Sequence, residues 1–198
     1  MNKILIGSNN PAKIEVYRKL LEGFKLQVLT AKDLKIPPPE DSAVTFEETA
    51  IDKAKYYYQK SGIPSIVDDG GFEIQALHPE PVFRGRRWVG REMTDDEIIE
   101  DIIKRMKNIP KNERSCKHII VMALATPFGV FTAHGEMSGV VADKPSDKRV
   151  PQFPYESIIY LPNYNKYWAE LSDEENEYLS HRRVALEKIK DILQELSK

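Results

Sequence analysis

The sequence predicts an α/β fold built on a mixed, twisted sheet with flanking helices, arranged as two lobes around a central cleft. Two observations carry that prediction. Strand and helix patterns alternate through the first half of the chain, and from residue 117 two long apolar runs joined by a turn read as a β-hairpin, which adds antiparallel strands to a parallel beginning. A third observation sets the scale: 198 residues, 41% of them hydrophobic, suffice for a substantial core within a single domain spanning 1–198.

Each element has its own signal. Residues 3–7 form an apolar run that reads as a strand, and 12–24 read as a helix whose face is Ile14, Tyr17, Leu20, Leu21 and Phe24, at spacings of three and four. Leu26 to Thr30 alternates like a second strand, and Pro37-Pro38-Pro39 ends that segment in a loop. A helix over 45–60 buries Phe46, Ala50, Ala54 and Tyr57. Ile63 to Val67 then reads as a short buried strand delivering Asp68-Asp69-Gly70-Gly71, with Phe72-Glu73-Ile74 as its continuation or its partner. Thr94 to Glu97 is a capping box, after which Ile98, Ile99, Ile102, Ile103 and Met106 form a helical stripe. His118–Ala125 and Val130–His134 are the hairpin arms about Pro127-Phe128-Gly129, and Val140-Val141 and Ser157–Leu161 are further strand-like segments. Ser172 and Glu175 frame a short acidic helix, and a last helix from about Ser180 buries Ala185, Ile189, Ile192, Leu193 and Leu196.

Composition narrows the function classes. A net charge of −2 and a pI near 6.1 give no support to binding a polyanion, so no nucleic-acid partner is expected. The lone Cys116 rules out an internal disulfide and a thiolate metal cluster, which fits a reducing compartment. The N-terminal apolar run is too short for a secretion signal and no run reaches about 18 apolar residues, so no membrane partner is expected and the reading is a soluble, cytoplasmic protein.

The residues with chemical potential fall into a few clusters. Gly7-Ser8-Asn9-Asn10-Pro11-Ala12-Lys13 lies between a strand and a helix start, where amide N–H groups and the helix dipole favour an anion; two Asn amides, the Ser8 hydroxyl and the Lys13 ammonium suit phosphate. Helix capping would equally explain Ser8 and the Asn pair. The loop lacks the glycines and Lys-Ser/Thr ending of a P-loop. Asp68-Asp69-Gly70-Gly71 ends an apolar strand, and alternation sends the two carboxylates to opposite faces, one able to face a ligand while the other braces the loop; a tight solvated turn is the alternative. Hard carboxylates with phosphates would select Mg²⁺. Glu48 and Lys53 read by themselves as solvated helix residues, with Glu40 and Asp41 in the loop before them. His181 and Arg182 open the last helix, where the dipole disfavours cations, and that cost favours a binding role.

Together these segments resemble the Ham1-type inosine/xanthosine triphosphate pyrophosphatases over nearly the whole chain. The family's [ST]-x-N-x-x-K loop is Ser8 to Lys13, its T-F-x-E-N-A-x-x-K-A helix is Thr45 to Ala54, its D-D-S-G turn is Asp68 to Gly71, and its S-H-R is Ser180-His181-Arg182. The same comparison lays Pro81 to Gly90 on an arginine-bearing stretch that puts Arg87 on the family's arginine. The resemblance implies Mg²⁺-dependent hydrolysis of ITP, dITP or XTP to the monophosphate and pyrophosphate, and a homodimer. It also implies roles: Ser8, Asn9, Asn10, Pro11, Ala12, Lys13 and Lys53 around the triphosphate, Asp69 on the metal and the attacking water, Asp41 as a second acidic position with Glu40 or Glu48 as its rivals. Gly70 and Arg87 would complete substrate binding, and His181 and Arg182 would read the 6-oxo edge of the base. Departures gather in the base segment, where F-G-Y-D is Phe153-Pro154-Tyr155-Glu156, and in Gly70 for serine, Thr49 for asparagine and Asn176 for lysine. They motivate two alternatives: a Maf-like pyrophosphatase of other modified nucleotides, and a nucleotide-binding or partner-binding module without catalysis.

Overall fold

The computed structural model describes residues 2–40, 45–77, 86 and 89–198. β1 (Lys3–Ile6), α1 (Pro11–Leu21), β2 (Gln27–Thr30), α2 (Phe46–Ser61) and β3 (Ser65–Ile74) alternate, and β1 pairs in parallel with both β2 and β3. After α3 (Asp95–Met106) come β4 (Ser115–Thr126) and β5 (Gly129–Val141), joined by Pro127-Phe128, then β6 (Ile159–Leu161) and β7 (Lys166–Tyr167). The β5–β6 and β6–β7 pairs are antiparallel, and the seven strands form one mixed sheet in the order β2-β1-β3-β4-β5-β6-β7. The chain ends in α4 (Asp173–Leu179), α5 (His181–Lys188) and α6 (Lys190–Leu196).

By contact density the chain divides into two units. The first holds residues 1–69, 120–135 and 182–198, and the second holds 70–119 and 136–181. In the first, strands are buried on both faces: Ile4 and Ile6 pack with Tyr17, Leu20, Leu21 and the α5–α6 residues Ala185, Leu186 and Leu193, while Leu5 packs oppositely with Ala50, Ala54 and Tyr57. That is why Ile4-Leu5-Ile6 and Ile120 to Ala125 read as unbroken apolar runs, as strands covered on both sides do. In the second unit a single cluster gathers Phe72, Ile98, Ile102, Met106, Met137, Ile159 and Trp168, and Glu136 to Ser138 alternates exposed and buried, the mark of a strand with one covered face.

Capping explains the helix boundaries. Thr45, Thr94 and Ser172 each accept from the amide three residues on, while Glu48, Glu97 and Glu175 return a bond to the cap, so all three boxes form. α2 closes on Gly62 at φ 67, a left-handed cap that glycine adopts without strain.

The structure corrects four local expectations. Asp68-Asp69-Gly70-Gly71 is not a turn: β3 runs straight through it, with Phe72 to Ile74 as its continuation. Val140-Val141 belongs to the end of β5 rather than to a separate strand. The C-terminal helix is two helices, because Ile189 leaves helical geometry at φ −115 and ψ 12; the break lets α5 and α6 each press apolar residues into one core. The first helix stops at Leu21, and Phe24 packs from the turn beyond it.

Candidate active site

In the first unit the loop after β1 is shaped by close packing. A Cβ on Gly7 would lie 2.4 Å from the Tyr57 ring and 2.5 Å from the Val67 methyl, so only glycine lets the chain pass there. Asn10 then caps α1, its Oδ1 accepting from the amides of Ala12 at 2.9 Å and Lys13 at 3.3 Å, with Pro11 at the first helical position. The Ser8 hydroxyl oxygen accepts from the Asn10 amide at 3.2 Å, which leaves its O–H to donate elsewhere. The first-turn amides that the sequence offered to an anion are thus engaged by Asn10, and the loop's remaining attractions for phosphate are side chains and the helix dipole.

The paired acids behave oppositely. Asp68 has its side chain 1% exposed, and its Oδ2 receives Lys13 Nζ at 3.2 Å and Arg182 Nη2 at 3.0 Å. Burial alone would raise its pKa, but the two cations and their hydrogen bonds outweigh it and hold Asp68 far below the usual carboxylate range. Asp69, on the other face of the strand, meets Lys53 at 3.4 Å and keeps a quarter of its side chain exposed. Here burial prevails over the attraction of Lys53 and Lys13, with Asp68 adding repulsion, and the pKa is raised. Adjacent carboxylates whose environments push them apart are the usual mark of divided labour, one fixed as an anion and one poised to move a proton. Beneath them the fully buried Tyr17 hydroxyl, without a well-formed hydrogen bond, is pushed well up by burial and by the charge of Asp68.

The second unit holds a set of rings. His181 is buried, its Nε2 3.2 Å from His118 Nδ1, and its ring stands perpendicular to Trp168 with centroids 5.2 Å apart. Tyr155 stacks on Phe72 at 4.7 Å and lies 5.5 Å from His118. The Trp168 indole N–H donates to Asn176 Oδ1 at 3.1 Å. Phe153 leads into a 3₁₀ turn over Pro154–Ser157, in which Pro154 takes the first position and needs no donor, and the Glu156 amide donates to the Phe153 carbonyl.

A model of the Ham1 family matches residues 4–192. The chain belongs to the Ham1 family. It is 32% identical to the dITP/XTP pyrophosphatase of Yersinia pseudotuberculosis, over 98% of this chain and the whole of that one. Among solved structures, a HAM1 protein from Coxiella burnetii superposes with a TM-score of 0.85 at 30% identity, covering 98% of this chain and all of that chain. The Ham1 protein of Staphylococcus aureus gives 0.83 at 28% identity, covering 98% of each.

Within this Ham1 frame the structure brings Lys13, Lys53, Asp69, Arg182 and the Ser8–Asn10 loop onto the first unit, while Gly70, Phe153 to Glu156, Asn176 and His181 belong to the second. Asp41 and Arg87 lie outside the described residues. The neighbours His181 and Arg182 take separate tasks, one among the rings, the other in a buried ion pair. Glu48 is spent on the α2 capping box and Glu40 is exposed. Sequence reasoning missed His118, Trp168 and Phe72. His118 had one legible signal: it occupies the phase of buried Cys116 and Ile120 on β4, where a histidine needs a partner.

A Ham1 pyrophosphatase implies a divalent ion. Among the described residues no three His, Cys, Asp or Glu side chains gather as a cage. Mg²⁺ does not require one, since it keeps several waters and binds through one or two carboxylates plus substrate phosphates. The half-open Asp69 oxygen suits that mode, whereas Asp68 is closed off by its two cations.

Proposed function

We propose that the chain hydrolyses the triphosphates of deaminated purines, ITP, dITP and XTP, releasing pyrophosphate and the nucleoside monophosphate. The observation that carries this is the Asp68/Asp69 split within a family whose curated relatives are named for that reaction. Lys13, Lys53 and the Ser8 to Asn10 loop hold the triphosphate and offset charge on the departing pyrophosphate. Asp69 accepts the proton of the attacking water as oxygen adds to phosphorus and the bond to the bridging oxygen breaks; its raised pKa brings it nearer the working pH. Asp69 would hold Mg²⁺, with Asp41 a second candidate, and the ion supplies charge neutralisation on the phosphates. Arg182 keeps Asp68 ionised and in place, which leaves the reading of the purine 6-oxo group to His181.

We read residues 1–198 as one catalytic domain that works as a dimer in the cytoplasm. The buried Cys116 thiol, pushed up to about 12 by burial, is inert and fits that compartment. No helix among the described residues is long and apolar enough to cross a membrane.

The test is pyrophosphate release from ITP, dITP, XTP, GTP and ATP with Mg²⁺ and with a chelator. We expect the three deaminated nucleotides to lead in kcat/KM and the chelator to abolish turnover. No hydrolysis of any of them would end the enzyme reading, and a different best base would move the chain to the Maf-like alternative.

A further inference from the structure

The two histidines of the second unit touch through specific nitrogens, and that contact fixes more than ring position. His118 Nδ1 lies 3.2 Å from His181 Nε2 with the ring planes at 85°, so one nitrogen donates and the other accepts. A neutral imidazole carries a single N–H, and whichever ring donates here dictates where the proton sits on the other. His181 is 1% exposed, and His118 and Trp168 pack on its ring edge-on, which fixes where its two nitrogens lie.

We propose that His118 is a positioning residue for base selection: its Nδ1–H donates to His181 Nε2, which locks His181 as the Nδ1–H tautomer and aims a donor at a purine 6-oxo group. This rests on the reading of His181 as the base-facing residue. A 6-oxo oxygen accepts, so His181 must offer an N–H; Nε2 is occupied by His118, and the proton must sit on Nδ1. The opposite tautomer would offer a bare nitrogen, which suits the 6-amino group of adenine and repels the oxo group. Selection between ITP and ATP is thereby set by a residue that need not touch either.

Two measurements test it. In the unmutated protein at a pH where both rings are neutral, nitrogen NMR should show His181 Nδ1 and His118 Nδ1 protonated and His181 Nε2 bare; the reverse pattern overturns the proposal. His118→Phe keeps a ring among Tyr155 and Trp168 but removes the donor, and should lower the ITP-to-ATP ratio of kcat/KM about tenfold, the size of one neutral hydrogen bond. His118→Asn, whose amide donates from nearly the same place, should restore the ratio, which a merely space-filling role would not require. If His118→Phe leaves the ratio unchanged while His181→Ala shifts it, the tautomer lock is refuted and base reading by His181 stands. If His181→Ala also leaves it unchanged, both fall together.

Discussion

The charged set of the first unit and the ring set of the second are held by different forces. Asp68 with Lys13 and Arg182 is electrostatic and nearly dry, so each partner compensates a charge that water cannot reach, and removing one leaves the others at high cost. His118, His181, Trp168, Tyr155 and Phe72 are rings joined by stacking and a few hydrogen bonds, where a single loss is graded. In the proposed reading the charged set holds polyphosphate and must keep its charges still, whereas the rings sort bases through which nitrogen carries a proton. The contrast predicts that substitutions among the charges act steeply on rate or stability, and those among the rings mildly on stability.

The largest effect should come from Asp69→Asn. Removing the proposed proton acceptor should lower kcat by about 10²–10⁴-fold in a pyrophosphate-release assay. The parent's acid limb of kcat/KM should lie above that expected of an ordinary aspartate, because the base works only when ionised and its pKa is raised by burial. The same raised pKa means that ionised Asp69 costs folding free energy above its folded pKa, a cost relieved as pH falls through it. Asp69→Asn should therefore melt no lower than the parent at neutral pH; a lower melting temperature would show that Asp69 is structural.

Asp68→Ala should do the reverse. It strands Arg182, whose side chain is 5% exposed, and should cost about 3–5 kcal/mol in denaturant unfolding. The sign with pH is also opposite: a folded pKa below the unfolded value near 4 contributes stability above about pH 4, lost as pH falls further. Replacing Asp68 should flatten the acid side of the stability curve, and a curve of unchanged shape would break the distinction between the two acids.

These contrasts explain what was legible in the chain. Motifs close in sequence, such as the loop to Lys13, the acid pair and the capping boxes at Thr94 and Ser172, announce themselves because local geometry demands those residue types. Arg182 and Asp68 are 114 residues apart, and nothing local in Ser180 to Arg183 states that the arginine is buried against an acid of β3 while the histidine beside it joins rings. His118 hid in an apolar run for the same reason. The break at Ile189 is a tertiary override: the apolar spacing is continuous, but packing of α5 and α6 into one core selects a kink that no glycine or proline marks.

Gly7→Ala probes how tightly the charged unit holds its loop. With Tyr57 and Val67 inside 2.6 Å of the new carbon, over-packing should cost about 1–3 kcal/mol and displace the loop that leads into α1 and Lys13. We expect a lower unfolding midpoint together with a raised KM. A neutral result would mean that α2 yields easily, and the loop's fixed position would no longer follow from packing.

The smallest effect belongs to the rings. Asn176 accepts the indole N–H of Trp168, which is 3% exposed, so Asn176→Ala leaves a buried donor unsatisfied and should cost about 1 kcal/mol. Asn176→Asp keeps an acceptor at that place and should retain the lost stability, which separates the hydrogen bond from packing of the side chain. In a Trp88→Phe background Trp168 is the sole tryptophan, and its emission should shift for the alanine variant but not for the aspartate. Because the bond orients a ring that His181 stands against, the alanine variant should also relax the ITP-to-ATP preference with little change in kcat on ITP. A steep loss of kcat instead would place Asn176 among the charges in its effect, and the division between a rigid electrostatic set and a tunable aromatic one would fail.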